Sequence, residues 1–101
     1  MTKFRTLEIA ICQYKEIKAL KLKGEVRSQI ERAALSVVLN LSEGNAKFKA
    51  KDKRRFFNIS YASQKEVQTI LLLEEITSLY RISDSLGAHL YRLQYCSLVD
   101  R

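Results

Sequence analysis

A run of basic side chains broken by a single acid is the part of this sequence best suited to chemistry. The run occupies residues 47–55 and contains Phe48 and Asp52 among its cations. Its six basic residues, which we call the basic segment, are Lys47, Lys49, Lys51, Lys53, Arg54 and Arg55. Clustered cations bind phosphate oxygens, and an aromatic ring among them can stack on a base. The segment therefore predicts a nucleic-acid-binding surface; a solvated lysine loop that only keeps the protein soluble is the alternative.

A second group of cations lies near the end of the first predicted helix. Its members, which we call the lysine cluster, are Lys15, Lys18, Lys21 and Lys23. In an antiparallel helical arrangement this cluster and the basic segment lie at opposite ends of one protomer, unless assembly brings them together. We predict that both groups contact phosphates, so binding should be sensitive to salt and weakly specific for sequence.

Polar residues form a stripe on the second predicted helix, between apolar positions, and a polar pair on the third helix faces it. The six residues are Arg32, Ser36, Asn40, Glu43, Ser63 and Glu66. A half-buried Glu66 would need a cation, and Arg32 is the predicted partner. The six could form a catalytic or ligand-binding cluster. Because they offer no nucleophile beside a base, a structural polar network that fixes the register of two helices is the favoured interpretation.

The single histidine, His89, lacks a cysteine or a second histidine at helical spacing, so we predict no metal and no cofactor. Helical ribonucleases of the HEPN kind place an arginine shortly before a histidine. Here Arg81 lies too far upstream and Arg92 follows His89, so the sequence predicts no enzyme of that kind. Cys12 and Cys96 are expected to act as small apolar fillers.

Length and composition predict one cytoplasmic domain, residues 1–101. A chain of 101 residues buries only about 60–70% of its unfolded surface, which makes self-association a natural way to bury more. Two cysteines are too few for a disulfide framework, and charged residues interrupt every apolar run, so neither secretion nor a membrane span is expected. Residues 1–55 carry 14 basic and 6 acidic side chains, against 4 and 5 in residues 56–101, so the net charge of +7 belongs to the first half.

The absence of proline and the abundance of Leu, Ala, Lys and Glu predict an all-α, up-down-up-down antiparallel four-helix bundle. The breaks are placed at residues 23–25, 44–52 and 82–85. The predicted helices therefore cover residues 6–22, 25–43, 52–80 and 84–100. Gly44 is expected to end the second helix in a left-handed conformation, and Asp52 is expected to cap the third.

Apolar spacing predicts the inner face of each helix. For the first three helices these faces are Leu7, Ile11, Tyr14, Ile17 and Leu20 or Lys21; Val26, Ile30, Ala34, Val37 and Leu41; and Phe56, Ile59, Ser63, Val67, Ile70, Leu73 and Ile76 or Thr77. The fourth buries Leu86, Leu90, Leu93 and Ser97. A second apolar stripe on helix two (Leu35, Val38, Leu39) and a flanking face on helix four (Tyr91, Tyr95, Leu98) exceed what one small bundle needs, which favours assembly.

A spaced pattern links the second and third helices. Its residues are Gln29, Arg32, Ala33, Ser36, Asn40, Glu43, Gly44, Phe56, Ser63 and Glu66. The pattern resembles the four-helix bundle proteins encoded in intervening sequences of bacterial 23S rRNA genes. That family has Gln-x-x-Arg-Ala-x-x-Ser, then Asn-Ile-Ala-Glu-Gly, a basic loop, a Phe-rich helix start and Ser-x-x-Glu. This chain departs from it in lacking the proline before helix two and in having Asn40-Leu41-Ser42.

The resemblance implies a homopentameric ring of left-handed four-helix bundles that binds nucleic acid and has no known catalytic activity. Similar bundles act as the accessory variability protein of diversity-generating retroelements, where a basic pentamer engages the reverse transcriptase and its template RNA. We therefore expect a non-enzymatic, oligomeric RNA- or DNA-binding protein. The alternative is a protein-interaction scaffold for a reverse transcriptase.

Overall fold

The helices of this protein form in a proline-free chain whose common residues lose little rotamer freedom in a helix. A computed structural model describes the backbone of residues 2–99 and the side chains of residues 5–95. Within residues 2–99 the elements are α1 (Thr2–Lys18), α2 (Gly24–Asn45), α3 (Ala50–Leu73), a 3-10 turn (Thr77–Leu79) and α4 (Tyr80–Val99). This part of the chain contains no strand, and the predicted all-α fold with four helices is confirmed.

The helices pack as a bundle in which sequential neighbours run antiparallel. Residues that advance along α2 meet residues that recede along α3: Ser36 contacts Ser63, and Val37 contacts Ser60. Each of α2 and α3 packs on both of its sequence neighbours, and the contact between α1 and α4, which closes the bundle, is smaller than the contacts between sequential helices. The bundle measures 43 × 21 × 19 Å.

The core is formed by aliphatic side chains from all four helices and one phenylalanine. Its fully buried apolar residues are Ala10, Ile17, Ile30, Ala33, Ala34, Val37, Leu41, Phe57, Val67, Leu71, Leu79, Leu86, Leu90 and Leu93. The inner faces predicted for α2 and α4 agree with this set, although Val26 is only half-buried. The predicted positions Ser97 and Leu98 lie outside the described side chains.

The buried face of α3 differs from the predicted one. Its fully buried residues are Phe57, Ser60, Gln64, Val67 and Leu71. Two residues predicted to face inward, Ile59 and Leu73, are exposed instead. The prediction failed because two polar residues lie on the inner face. Ser60 can be buried because its Oγ donates a hydrogen bond of 2.8 Å to the carbonyl of Val37.

On α1 the buried stripe likewise includes polar residues. Thr6, Ala10, Gln13 and Ile17 are buried at spacings of four, three and four residues. Ile11, predicted to be in the core, is exposed, and Leu7 and Tyr14 are half-buried. A helix has one stripe that faces the bundle centre, and here hydrogen bonding rather than hydropathy decides which stripe it is.

The break between α3 and α4 falls earlier than predicted, at residues 74–76 instead of 82–85. α3 ends at Leu73 rather than at residue 80, and α4 begins at Tyr80. Glu75 adopts a positive φ of 56°. The amide of Ile76 donates to the carbonyl of Leu71 at 2.9 Å, and the amide of Glu75 donates to Leu72 at 3.2 Å. These two bonds form a Schellman motif, which ends a helix without a glycine here.

The other helix limits also differ from the predicted ones. α1 ends at Lys18 instead of residue 22, because the amides of Ala19 and Leu20 turn back to carbonyls of the last turn. α2 extends through Gly44 to Asn45, so Gly44 is helical and is not the left-handed cap that the sequence predicts. α3 begins at Ala50, before Asp52, which lies in its first turn and makes no side-chain cap.

Candidate nucleic-acid interface

The connection between α2 and α3, residues 46–49, presents an aromatic ring to solvent. Phe48 is 99% exposed, and Lys47 and Lys49 flank it in the chain. A phenylalanine with no neighbour contributes nothing to the core and leaves its whole apolar surface in water. With cations on either side, this ring can stack on a base while the ammonium groups meet the phosphates.

The ring of Phe56, in the first turns of α3, contacts two of the cations. The Lys47 Nζ lies 5.1 Å from its ring centroid, and the Arg55 guanidinium carbon lies 4.7 Å from it. Lys47 also pairs with Glu43 at 3.6 Å. Cation–π contacts at exposed sites contribute only about 0.5–1 kcal/mol each. They are strong enough to bias these side chains toward one surface, yet weak enough to be exchanged for a phosphate.

Lys53 has a different role from the rest of the basic segment. Its Nζ lies 3.5 Å from the carbonyl oxygen of Gly44 and 3.4 Å from that of Asn45. These are terminal carbonyls of α2, where a cation also complements the helix dipole. The cations left to face a ligand are therefore the exposed Lys49, Lys51 and Arg55, together with the half-buried Lys47 and Arg54.

The lysine cluster lies at the other end of the bundle. All four of its side chains, Lys15, Lys18, Lys21 and Lys23, are exposed. The Lys18 Nζ lies 5.7 Å from the ring centroid of Tyr14. Between the two groups runs α2, whose 22 residues span ~33 Å. One protomer therefore does not gather the two groups into one site.

The stripe between α2 and α3 contains a small hydroxyl cluster. The hydroxyls of Ser36 and Ser63 share a hydrogen bond of 2.7 Å. The amide of Asn40 donates to the Ser36 hydroxyl at 3.1 Å and to the Ser36 carbonyl at 3.0 Å. Since these partners are neutral hydroxyl and amide groups, the chemistry the contacts support is a hydrogen-bonded link between two helices.

The charged members of the stripe do not join this cluster. Arg32 and Glu66 are both exposed and do not form the predicted ion pair with each other, while Glu43 instead pairs with Lys47. The prediction assumed a half-buried Glu66. On the surface, water solvates both charges and an ion pair gives little stability.

Sequence reasoning missed a buried amide network that joins three helices. Gln13 and Gln64 exchange two hydrogen bonds of 2.9 and 3.0 Å. The Gln64 amide also lies 3.0 Å from the carbonyl and 2.9 Å from the hydroxyl of Ser83. All three residues are buried. The signal available in the sequence was the spacing of Gln13 in line with Ala10 and Ile17.

His89 and Cys12 have no part in the basic surface. The His89 Nδ1 lies 3.3 Å from the Thr6 hydroxyl and so links α4 to α1. Burial, with the positive charges of Arg92 and then Arg5, lowers the pKa of His89. Cys12 is exposed, contrary to its predicted role as an apolar filler, and Cys96 lies outside the described side chains.

Comparison of the amino-acid sequence with protein families assigns the chain to one of them. The family model described as 23S rRNA-intervening sequence protein matches residues 2–93. The chain belongs to that family. No curated protein and no solved structure shows significant similarity to it. In the described part of the chain, no helix combines the length and apolar character needed to cross a membrane.

The structure gives a physical reason for two features of the pattern that resembles this family, a glycine at the end of α2 and a Phe-rich start of α3. A Cβ on Gly44 would come within 2.7 and 2.8 Å of two ring carbons of Phe57, and 3.1 Å from the Cβ of Phe56. Phe57 is fully buried. The glycine thus lets α2 approach α3 closely, directly beside the basic segment.

Proposed function

We propose that this protein is a non-catalytic nucleic-acid-binding bundle that holds RNA through the basic segment. The observation that carries the proposal is the fully exposed ring of Phe48 among basic residues, at the end of the bundle where α3 begins. A lysine loop that serves only solubility has no need of such a ring. Similar bundles in retroelements engage a template RNA, which supports RNA as the ligand.

Binding of this kind rests on phosphate contacts, so it responds to salt. Each phosphate contact made by a cation releases counterions, and the logarithm of the affinity for a single strand falls with slope of about −0.7 per contact. The test is to measure the binding of labelled single-stranded and structured RNA, and of matched DNA, at several salt concentrations from ~50 mM upward. Absence of binding at the lowest salt would overturn the proposal.

The decisive variant is Lys49→Gln with Lys51→Gln and Arg55→Gln. We expect weaker binding and a salt slope reduced by about 2, which corresponds to three lost phosphate contacts. The matched control is Arg27→Gln with Arg32→Gln and Arg81→Gln, which removes the same charge from exposed positions outside both basic groups. Equal loss in the two variants would mean that net charge alone drives binding and would contradict a localised site.

A separate variant isolates the aromatic contribution. Phe48→Ala removes an exposed ring without touching the core, so the melting temperature should not change. The affinity for single-stranded RNA should fall by about 10-fold, because stacking on one base contributes about 1–3 kcal/mol. Phe48→Trp should retain the affinity.

We further propose that the protein assembles into a homo-oligomer, a pentameric ring being the form that the family resemblance implies. The stripe of α2 that carries Leu35 and Leu39 supports this, since these side chains are 40% and 56% exposed. Light scattering should give a multiple of the 11.7 kDa protomer mass. Leu39→Glu should lower that mass if the stripe is the contact, and a wild-type mass near one protomer would refute assembly.

A protein-interaction scaffold, with a reverse transcriptase as a candidate partner, is the second function. The adjacent Leu72 and Leu73 favour it, because they are 63% and 73% exposed at the end of α3. A scaffold would retain its partner after nuclease treatment and would bind no naked RNA. That result would select the scaffold over the RNA-binding protein.

A further inference from the structure

Three tyrosines form a continuous aromatic surface on the face shared by α3 and α4. The ring centroids of Tyr61 and Tyr91 lie 5.9 Å apart, and those of Tyr91 and Tyr95 lie 4.9 Å apart. The interplanar angles are 55° and 59°. Tilted pairs contact edge to face, so the rings hold one another in place without stacking on each other's open faces. We call these three residues the tyrosine surface.

Each of the two outer tyrosines leaves about half of its surface in solvent. Tyr91 is 50% exposed and Tyr95 is 52% exposed, whereas Tyr61 is half-buried and packs against the core. The inner ring therefore anchors the surface and the outer two remain available. Aromatic faces held rigidly in solvent are what unpaired bases stack on, since every base has a π-face.

Cations accompany these rings. The Lys65 Nζ lies 5.6 Å from the ring centroid of Tyr61. On α3, residues 54, 58, 61 and 65 follow helical spacing, so Asn58 continues the stripe of Tyr61 to Arg54, a member of the basic segment. The stripe is ~16 Å long, which leaves room for about four bases at a spacing of ~3.4 Å. Asp84, which accepts a hydrogen bond from Gln68, marks the opposite limit of this face.

We propose that Tyr61, Tyr91 and Tyr95 stack the unpaired bases of a single-stranded nucleic acid whose phosphates contact Lys65 and Arg54. This inference rests on the proposed nucleic-acid-binding function and adds to it a second surface and a preference for single strands. Charge favours this occupant over a second copy of the chain, because Arg54, a member of the basic segment, lies on the same helical stripe as Tyr61 and another protomer would bring its own cations to it.

The intrinsic fluorescence of the protein can report whether a ligand is bound at the tyrosine surface. It contains no tryptophan and five tyrosines, three of which form the tyrosine surface, so base stacking should quench the intrinsic tyrosine fluorescence. The titration uses an oligonucleotide of about 12 residues as a single strand and as a duplex of the same length, at ~50 mM salt. We expect quenching by the single strand and little quenching by the duplex.

The test variant is Tyr91→Ala with Tyr95→Ala, and Tyr91→Phe with Tyr95→Phe is its matched control because it keeps the rings. The alanine variant should bind the single strand at least ~10-fold more weakly, with under ~2-fold change for the duplex. The phenylalanine variant should match the wild type. Thermal unfolding followed by circular dichroism verifies that both variants fold.

The outcomes separate this inference from the proposed function. The basic-segment variant is the triple substitution Lys49→Gln, Lys51→Gln and Arg55→Gln. If the alanine variant binds the single strand as well as the wild type, while the basic-segment variant does not, base stacking on the tyrosine surface is refuted and the proposed function stands. If the wild type binds no nucleic acid, both are overturned. If the alanine variant has a lower mass by light scattering, the tyrosine surface is a contact between copies of the chain, which also overturns the inference.

Discussion

At the scale of single residues, Gly44 shows how packing beside a candidate site constrains the chain. Helix propensity alone would favour alanine there, by about 1 kcal/mol. The Phe57 ring, however, lies where the new methyl group would be, at 2.7 Å from an added Cβ. Because Phe57 is only 1% exposed, neighbouring side chains restrict the ring on every side.

Gly44→Ala should therefore destabilise the protein by about 1–3 kcal/mol, the usual cost of overpacking. Urea unfolding at a fixed protomer concentration measures it, as a lower midpoint with an unchanged m-value. The same substitution in a Phe57→Leu background should cost less, since the shorter side chain leaves room. Equal costs in the two backgrounds would contradict the assigned contact.

Glu75 is a residue at which the chain keeps an unfavourable backbone conformation. Its φ of 56° places a side chain in the left-handed region, which favours glycine. Glu75→Gly should stabilise the protein by about 0.5–1 kcal/mol, seen as a higher thermal midpoint. The matched control is Glu74→Gly, whose φ is −93° and which should be neutral or destabilising. A stabilising effect of the control and none at Glu75 would refute this account.

The same residue limits what the sequence could predict. The helical limits near Leu73 depend on a Schellman motif made by Glu75 and Ile76, and neither residue type is typical of one. Ser83 and Asp84, which do resemble a break, lie inside α4, where Ser83 is buried against Gln64. Tertiary contacts determine both the end of α3 and the helical conformation of Ser83 and Asp84. These contacts cannot be predicted from the local sequence pattern.

At the scale of elements, the sequence predicts the number of helices and the core stripes of α2 and α4, because those stripes are purely aliphatic. It fails on the faces of α1 and α3, whose inner residues include Gln13 and Gln64. A buried glutamine is stable only with a specific partner, and here each is the partner of the other. Such a pair can be recognised only when the relative positions of α1 and α3 are known.

This amide pair yields a prediction for helix packing. Gln64→Leu should cost about 2–3 kcal/mol, because it leaves the buried Gln13 amide without its partner. Gln13→Leu should cost less, since Gln64 keeps the carbonyl and hydroxyl of Ser83. The double variant should be less destabilised than the two single losses combined, because no orphaned glutamine remains. Strict additivity in urea unfolding would show that the pair does not join α1 to α3.

At the scale of the whole molecule, positive charge lies at two ends of a rod. The bundle is 43 Å long, and the lysine cluster and the basic segment are separated by the length of α2. A ligand shorter than α2 can contact only one group at a time. A longer ligand can contact both, and its second contact is then intramolecular, which raises the affinity without any new kind of interaction.

The contribution of the lysine cluster to binding should therefore depend on the length of the ligand. A duplex of about 6 base pairs covers ~20 Å, and one of about 16 covers ~54 Å, at ~3.4 Å per pair. Changing Lys15, Lys18, Lys21 and Lys23 to Gln should weaken binding of the long duplex by about 10-fold or more. For the short duplex the same change should remove binding sites and leave the affinity of the remaining site unchanged.

Fluorescence anisotropy with stoichiometric titration measures both quantities, and the basic-segment variant serves as the control that weakens binding at either length. If the lysine-cluster variant weakens the affinity for both duplexes equally, the two groups form one continuous site. Such a site is impossible within a protomer whose basic groups are ~33 Å apart. Equal loss would therefore require an assembly that brings the end of one protomer to the opposite end of the next.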